Sequence, residues 1–234
     1  MPTTTSPNRL LQFAAVAIIG IFVLGFVFSP LGAWTGAVIG AWFIGTQKAW
    51  RGFLLLAGIN FILSLLSNWR GSPLRGIEYA GWTMLAAVLS VLPFLLYRLT
   101  SQRRPGFLST LSLPFWGVVF QMLGQLSLPA SIFSHYSLAQ TQSAFSPLPR
   151  IAAILGSGAI SFLIYWFAAV IHWMWNQEFR AKKIVTGASI FGAVCILVLG
   201  YGLFVQIVHP VARHVLLTGP AFAWICFVGG LILS

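Results

Sequence analysis

The chain has 234 residues, of which 59% are hydrophobic and only 6% are charged, and its mean hydropathy is +0.92. A soluble domain carries far more charge on its surface, so this composition excludes an ordinary soluble protein and is typical of a polytopic membrane protein. The 13 Lys and Arg against two acids give a formal charge of +11. Because these basic residues lie in short loops between apolar runs, they indicate membrane orientation rather than nucleic-acid binding.

The apolar runs predict an all-α fold: a polytopic membrane helix bundle of about eight transmembrane helices, forming a single domain over residues 1–234. At ~1.5 Å per residue, about 20 apolar residues cross the ~30 Å hydrocarbon core of a bilayer. The predicted spans cover approximately residues 10–28, 31–45, 50–69, 79–97, 107–126, 151–173, 184–206 and 215–233. The N-terminus lacks the basic region and cleavage site of a signal peptide, so we expect the first span to remain as an anchor.

The second predicted span is short, but small residues recur along it. Glycine occupies positions 32, 36 and 40, and an alanine follows each glycine. Small residues spaced four apart lie on one face of a helix and allow a neighbouring helix to approach closely. We therefore expect this segment to pack against another helix, whether it crosses the bilayer or only re-enters it.

The sixth predicted span has the clearest membrane signals. Residues 151–170 carry no charge, while Trp173, Trp175 and Arg180 follow them like an interfacial aromatic belt with a cationic stop. Its small side chains recur every four residues, at Ala153, Ser157 and Ser161. This pattern predicts a transmembrane helix packed closely against its neighbours.

The basic residues predict the orientation of the bundle. With eight spans, one side holds Arg9, Lys48, Arg51, Arg98, Arg103, Arg104, Arg180, Lys182 and Lys183, and the other holds Arg70, Arg75, Arg150 and Arg213. An excess of nine against four predicts an integral, multi-pass protein of the plasma (inner) membrane with both termini in the cytoplasm. A re-entrant second span would change the split to eight against five.

Several chemistries are disfavoured by the residues present. Glu78 and Glu178 lie at loop edges, so no buried carboxylate is available for proton-coupled transport. The four histidines show no ligand spacing, and we expect no metal or other cofactor. His172 follows Ser157 by fifteen residues on one predicted helix, ~22 Å away, which argues against a Ser–His pair.

Neutral polar side chains within the predicted spans leave a second class of function open. Asn60, Gln121, Gln125 and Gln206 are amides in otherwise apolar helices. Such groups usually bond to a neighbouring helix. The alternative is a neutral-solute transporter or channel that uses Asn60 and the two glutamines of the fifth span.

The loop between the fifth and sixth spans, residues 127–149, has no acid and no Lys or Arg. Its Ile132, Phe133 and Tyr136 are too apolar for a freely solvated loop, so we expect it to lie on or dip into the membrane interface. His135 and Gln142, with Arg150 just beyond, offer polar contacts to a lipid phosphate or ester. The alternative is that the loop is only anchored at the interface.

Three stretches resemble the membrane domain of bacterial apolipoprotein N-acyltransferases. Gly156–Phe167, GSGAISFLIYWF, together with Thr141–Gln142, resembles the sixth span and preceding outer loop of that family. Phe28–Trp34, FSPLGAW, resembles its first hairpin, and Leu92–Tyr97 with Arg104–Trp116 resembles its fourth and fifth spans. The resemblance implies eight spans with cytoplasmic termini, and a loop at 127–149 that frames the path of acyl chains. It also sets Gln121 where the family commonly has a glutamate.

The chain departs from this family between the seventh and eighth spans. There the family carries a nitrilase-like domain with a Glu-Lys-Cys catalytic set, whereas this chain has only residues His209 to His214. Cys195 and Cys226 lie mid-span without a Lys or Glu partner, so neither replaces the missing cysteine. The resemblance therefore implies a membrane shell that is not catalytic alone.

Taken together, these residues predict a lipid- or lipoprotein-related binding or scaffold role in lipoprotein biosynthesis. The expected partners are membrane lipids, a separately encoded nitrilase-like subunit or a lipoprotein, and not nucleic acid. The predicted lipid-binding residues are His135, Gln142, Arg150 and Gln121, with no catalytic residue. Besides the transporter or channel, a purely structural membrane assembly protein remains an alternative.

Overall fold

The computed structural model describes residues 30–68, 73–103, 106–142, 148, 151–152, 156–208 and 220–233. All regular secondary structure in these ranges is helical, which confirms the all-α prediction. The α-helices are α1 (Pro30–Thr46), α2 (Ala49–Asn68), α3 (Gly76–Arg103), α4 (Ser112–Ser127), α5 (Ala130–Tyr136), α6 (Leu138–Thr141), α7 (Ser157–Asn176), α8 (Ala181–Val208) and α9 (Pro220–Leu233). A 3-10 helix, Phe107–Leu111, precedes α4.

Helix length and composition fit a multi-pass membrane protein. Five segments are long and apolar enough to cross a bilayer: Ala49–Leu66, Gly76–Arg103, Phe107–Ser127, Ser157–Asn176 and Ile184–Val205. The predicted third to seventh spans are therefore found as membrane-compatible helices. Helix α1 is shorter but equally apolar. The first predicted span, 10–28, lies outside the described residues.

Helix α7 lies at the centre of the bundle, where it packs against α1, α4, α6 and the 3-10 helix. Ile164, Ala168 and Ala169 on α7 are completely buried. The helix begins at Ser157 rather than at residue 151 as predicted. The residue before it, Gly156, has φ of +78°, a backbone conformation that interrupts a right-handed helix and that glycine adopts without strain.

The small residues of α1 are used inside the chain. Ala33, Ala37 and Ala41 are buried, and α1 packs mainly on α7. A Cβ added to Gly40 would lie 3.2 Å from the Phe94 ring of α3. The expectation that this face contacts a neighbouring helix is confirmed, and the contact is intramolecular.

Helix α3 continues beyond its predicted end at residue 97 as far as Arg103. The sequence between Arg98 and Arg103 contains no glycine or proline, so nothing in it breaks the helix. Arg98 was predicted to lie in a basic loop. It instead lies on the last turns of α3, where its guanidinium donates a hydrogen bond to the carbonyl of Ile44 near the end of α1.

Helix α8 is peripheral. Near its beginning, Gly187 lies against Phe107 and Trp173, and Phe191 makes an edge-to-face contact with Trp166 at a centroid distance of 5.1 Å. Further along, its large side chains are exposed, including Ile196, Leu197 and Phe204. In a bilayer these apolar side chains would contact lipid.

Candidate functional site

The structure describes two of the four predicted lipid-binding side chains. Gln121 lies on α4, and Gln142 directly follows α6. The backbone of His135 belongs to α5, but its side chain is outside the described atoms. Arg150 lies outside the described residues. The structure therefore locates two of these four side chains, and lipid binding by all four stays a prediction.

Gln142 ties the end of the 127–142 segment to the helix bundle. Its side chain is only 1% exposed, and its Oε1 accepts a hydrogen bond from the indole Nε1 of Trp34 at 3.1 Å. Its Nε2 donates to the Thr141 hydroxyl at 2.8 Å. Trp34 also packs edge-to-face on Phe167 of α7, with ring centroids 5.3 Å apart. Gln142 thus connects α1 and α6 next to α7, and its amide is directed into the protein.

Gln121 lies between this segment and the bundle, and only one end of its amide has a partner. Its Nε2 donates to the Ser137 hydroxyl at 3.4 Å. Its Oε1 is buried and accepts no hydrogen bond in the part of the chain that the structure describes. The side chain lines a narrow crevice of about 30 Å³ between α3 and α4, which we call the α3–α4 crevice; its other walls include Leu89, Ser90, Phe120, Gly124 and Phe133.

The apolar residues of α5 have two different environments. Ile132 is 2% exposed and packs with Tyr79, Ala86 and Leu128, so it belongs to the protein interior. Phe133 is half-buried and forms part of the wall of the α3–α4 crevice. The apolar character of the segment, which predicted an interfacial loop, is explained in part by the packing of α5 on α3.

A second crevice, of about 80 Å³, is bordered by α1, α2 and α3 and is lined by Gly36, Gly40, Asn60, Ser90 and Phe94 among others. Asn60 Nδ2 donates to the Ser90 hydroxyl at 2.6 Å, and that hydroxyl donates to the Ala87 carbonyl at 2.8 Å. Both crevices reach Ser90 of α3 and Tyr165 of α7. The amides of Asn60 and Gln121 therefore lie in two crevices that share Ser90 and Tyr165.

A larger cavity, of about 270 Å³, lies at the end of the bundle where α1, α3 and α7 finish, and we call it the basic-end cavity. The 3-10 helix also borders it, through Gly106 and Ser109. Its polar lining includes Tyr97, Arg98, His172, Trp173 and Asn176. The sequence analysis did not single out this site.

The His172 ring is held in place on three sides. Its Nδ1 lies 3.0 Å from the Tyr97 hydroxyl, and its Nε2 lies 3.4 Å from Asn176 Nδ2. The Tyr97 hydroxyl also lies 3.4 Å from the Ala169 carbonyl. All three contacts are satisfied when His172 donates from Nδ1, Tyr97 donates to Ala169, and Asn176 donates to Nε2. A Cβ on Gly45 would be 2.7 Å from Nε2, so this close approach depends on glycine.

Two donors of the basic-end cavity have no acceptor among the described residues. Arg98 bonds to Ile44 through one terminal nitrogen, but its Nε is buried without a hydrogen-bond partner among the described residues. The same holds for the indole Nε1 of Trp173. A single sequence could not reveal this arrangement, because Arg98 and His172 are 74 positions apart. The one sequence feature that pointed to this cavity is that the predicted fourth and sixth spans both end next to a basic loop.

The thiols and carboxylates do not form a reactive cluster in the described part of the chain. Cys195 is half-buried and Cys226 is buried, and both are free thiols. No group of three His, Cys, Asp or Glu in the described ranges has the arrangement needed to hold a metal ion. Glu178 forms an exposed ion pair with Arg180.

No protein-family model, curated protein or solved structure matches this chain. The likeness to apolipoprotein N-acyltransferases consequently remains an expectation carried by the residues themselves.

Proposed function

We propose that this chain is a multi-pass protein of the bacterial inner membrane that is non-catalytic alone and binds lipid at the α3–α4 crevice. The observation that carries the proposal is the buried Oε1 of Gln121, which has no hydrogen-bond partner among the described residues and belongs to a crevice that Phe133 also lines. A buried acceptor without a donor costs about 1–3 kcal/mol. The crevice of about 30 Å³ admits only a small group, so a lipid hydroxyl or ammonium group would supply that donor while the acyl chain stays outside, against the apolar surface of the helices.

The family resemblance supports the same position. Gln121 stands where the resemblance expects a glutamate, and the 127–142 segment corresponds to the loop that frames the acyl-chain path in that family. In this structure Phe133 of the segment and Gln121 of α4 line one crevice. The role we propose is binding or scaffolding of lipid or a lipoprotein, alone or with a separately encoded nitrilase-like subunit.

The most direct test compares two glutamines one turn apart on α4. Gln121 lines the crevice, whereas Gln125 is exposed and does not. Phospholipid that co-purifies with the detergent-extracted protein is quantified per chain for wild type, Gln121→Leu and Gln125→Leu. Loss of one hydrogen bond of about 1 kcal/mol should weaken lipid retention about fivefold in Gln121→Leu only. Equal lipid content in the two variants would reject the crevice as the lipid site.

We further propose eight spans with both termini in the cytoplasm. The described basic side chains support this orientation, because Lys48, Arg51, Arg98, Arg103 and Lys182 lie at or beside the end of the bundle that holds the basic-end cavity. At the opposite end, the described residues include Arg75. A reporter that is active only outside the cytoplasm, fused after Ser234, should stay silent. Reporter activity would place the C-terminus outside the cytoplasm and contradict this topology.

The absence of acyltransferase activity in the chain alone is also a proposal. A covalent thioester mechanism needs an activated thiolate with a base and an oxyanion site. The expected result is that this chain does not rescue a strain depleted of its own apolipoprotein N-acyltransferase. Growth rescue that is lost in Cys195→Ala or Cys226→Ala would show that an intramembrane thiol is catalytic.

A neutral-solute pathway is the second candidate, and one observation favours it. The two crevices approach each other at Ser90 and Tyr165, and each contains a neutral amide. The expectation for a transporter is uptake of a small neutral solute, such as glycerol, by proteoliposomes, with loss of uptake in Asn60→Leu. Uptake no faster than in protein-free liposomes would eliminate this candidate and leave lipid binding.

A further inference from the structure

Two residues that line the basic-end cavity carry a buried hydrogen-bond donor without an acceptor among the described residues. Arg98 Nε and Trp173 Nε1 are both buried and unpartnered in the described part of the chain. Burying an unsatisfied donor costs about 1–3 kcal/mol, and more when the donor is charged. Because both donors belong to residues that line one cavity, an acceptor that comes from outside the chain could satisfy them there.

The charge at this cavity has one sign. Arg98 is the cation among the lining residues, and none of the described lining residues is Asp or Glu. The nearest acid in sequence is Glu178, which is exposed and paired with Arg180. Nothing described in the lining therefore neutralises Arg98, and a ligand with negative charge would do so.

The cavity wall is formed before any ligand binds. Tyr97 and Asn176 fix the His172 ring, and Gly45 leaves room for it. The hydroxyls of Ser101 and Ser109 donate to the carbonyls of Arg98 and Gly106, so these groups support the local backbone. A wall held in this way does not have to be ordered when the ligand enters.

The position of the cavity relates it to the membrane surface. It lies at the ends of three helices, and Trp42, Trp173 and Trp175 line it. Tryptophan at helix ends is typical of the membrane–water interface, where lipid head groups are found. Its volume is about 270 Å³, close to the lower limit of about 300 Å³ for small-molecule pockets. A cavity of this size suits a lipid head group better than a whole lipid.

We propose that the basic-end cavity binds a phosphate-type anion, carried either by an anionic phospholipid head group or by a free phosphate. Arg98 supplies the charge-assisted hydrogen bonds and Trp173 supplies a neutral donor, with the Asn176 amide at the rim. The site lies at the opposite end of the bundle from the 127–142 segment. It is therefore independent of the lipid site proposed for the α3–α4 crevice.

Binding of inorganic phosphate to the purified full chain in a neutral detergent is measured by isothermal titration calorimetry. Saturable binding is expected in wild type, and Arg98→Gln should weaken it at least about tenfold, since charge-assisted hydrogen bonds contribute about 1.5–3 kcal/mol. Arg51→Gln removes one exposed cation that does not line the cavity and should change binding less than about twofold. Equal weakening in both variants would show a diffuse surface charge effect and would overturn the site.

A second arm identifies the source of the phosphate. Tryptophan fluorescence is followed while detergent micelles receive phosphatidylglycerol or the matching diacylglycerol, which lacks a phosphate. Saturation with phosphatidylglycerol but not with inorganic phosphate would assign the head group, and saturation with both would show that the phosphate suffices. An equal response to diacylglycerol, or no saturable response to either anion, would overturn the proposal.

A further variant keeps the test informative if Arg98→Gln does not fold. Asn176→Asp places a carboxylate of nearly unchanged shape at the exposed rim of the cavity. Like-charge repulsion should then weaken anion binding at least about tenfold, whereas Gln47→Glu, near the same end but outside the lining, should not. Unchanged binding in Asn176→Asp would contradict an anion in this cavity. Gln121→Leu should leave phosphate binding unaltered, which separates this site from the crevice.

Discussion

Helices α7 and α8 are neighbours in the chain and both are long enough to cross a bilayer, but they occupy opposite environments. About half of the α7 span is buried, 56%, against 6% of the α8 span, although α8 is the more apolar of the two. In water the more apolar helix would be expected in the core. In lipid, apolar character determines insertion, and burial within the bundle depends on side-chain size and specific contacts instead.

The contacts of α7 show which side-chain sizes and specific contacts bury a helix within the bundle. Ala168 and Ala169 allow close packing, and the ring of Tyr165 occupies the space left by Gly117 of α4. The Trp166 indole donates to the Thr110 hydroxyl of the 3-10 helix at 3.2 Å. On α8, Gly192 and Gly200 meet nothing within 4 Å in the described part of the chain, so the same residue type has no packing role there.

The largest effect on stability is expected where Tyr165 of α7 fills the gap left by a glycine of α4. In Gly117→Ala the new Cβ would lie 2.2 Å from the Tyr165 ring, which already packs edge-to-face on Phe94. Overpacking of this kind should lower the free energy of unfolding by about 3 kcal/mol. The measurement is reversible unfolding in detergent. Wild-type stability in this variant would mean that Tyr165 is not confined as the structure shows.

A smaller loss is expected where α1 is connected to the 127–142 segment beside α7. Gln142→Leu removes the acceptor of the Trp34 indole and should destabilise the protein by about 1.5 kcal/mol, because a partly buried donor is left unpaired. Gln140→Leu, on an exposed position two residues earlier, is the matched control and should be neutral. Equal unfolding free energies for the two variants would deny Gln142 its connecting role.

A substitution at the end of α7 should reduce the free energy of unfolding by a still smaller amount. Tyr97→Phe keeps the ring that packs edge-to-face on His172 but removes the hydroxyl bonded to it. The expected loss of stability is about 1 kcal/mol, the usual contribution of one hydrogen bond. Thermal unfolding of the variant beside wild type measures it. A loss as large as that of Gly117→Ala would show that the polar end of α7, rather than its packed middle, dominates stability.

The smallest effect is expected on α8, and its sign should be opposite. Gly192→Ala adds a methyl group in open space and removes backbone freedom from the unfolded chain, so stability should rise by less than about 1 kcal/mol. Unfolding free energies of this variant and Gly117→Ala, measured side by side, make the contrast quantitative. Strong destabilisation by Gly192→Ala would indicate a helix partner for this face of α8.

Apolar runs were sufficient to predict the helices, because insertion depends on composition alone. The predicted third to seventh spans therefore coincide with described helices, within a few residues at most ends. Pairing between helices depends on residues distant in sequence, such as Gly117 with Tyr165, and could not be predicted from one chain. For the same reason Gln121 was identified, but its partner Ser137 and the Arg98–His172 cavity were not. Gln142 was predicted to contact lipid, which stays a prediction, and its partly buried hydrogen bond to Trp34 was not foreseen.

The central claim is that α7 forms the packed core of a membrane bundle and that α8 lies against lipid. Photolabelling in native membranes is its most direct test. A lipid-soluble carbene probe is activated in membranes that contain the wild-type chain, and labelled positions are mapped by mass spectrometry. The account predicts strong labelling at Ile196, Leu197 and Phe204 of α8, and little at the buried Ile164 and Ala168 of α7. Labelling of α7 equal to or above that of α8 would contradict it.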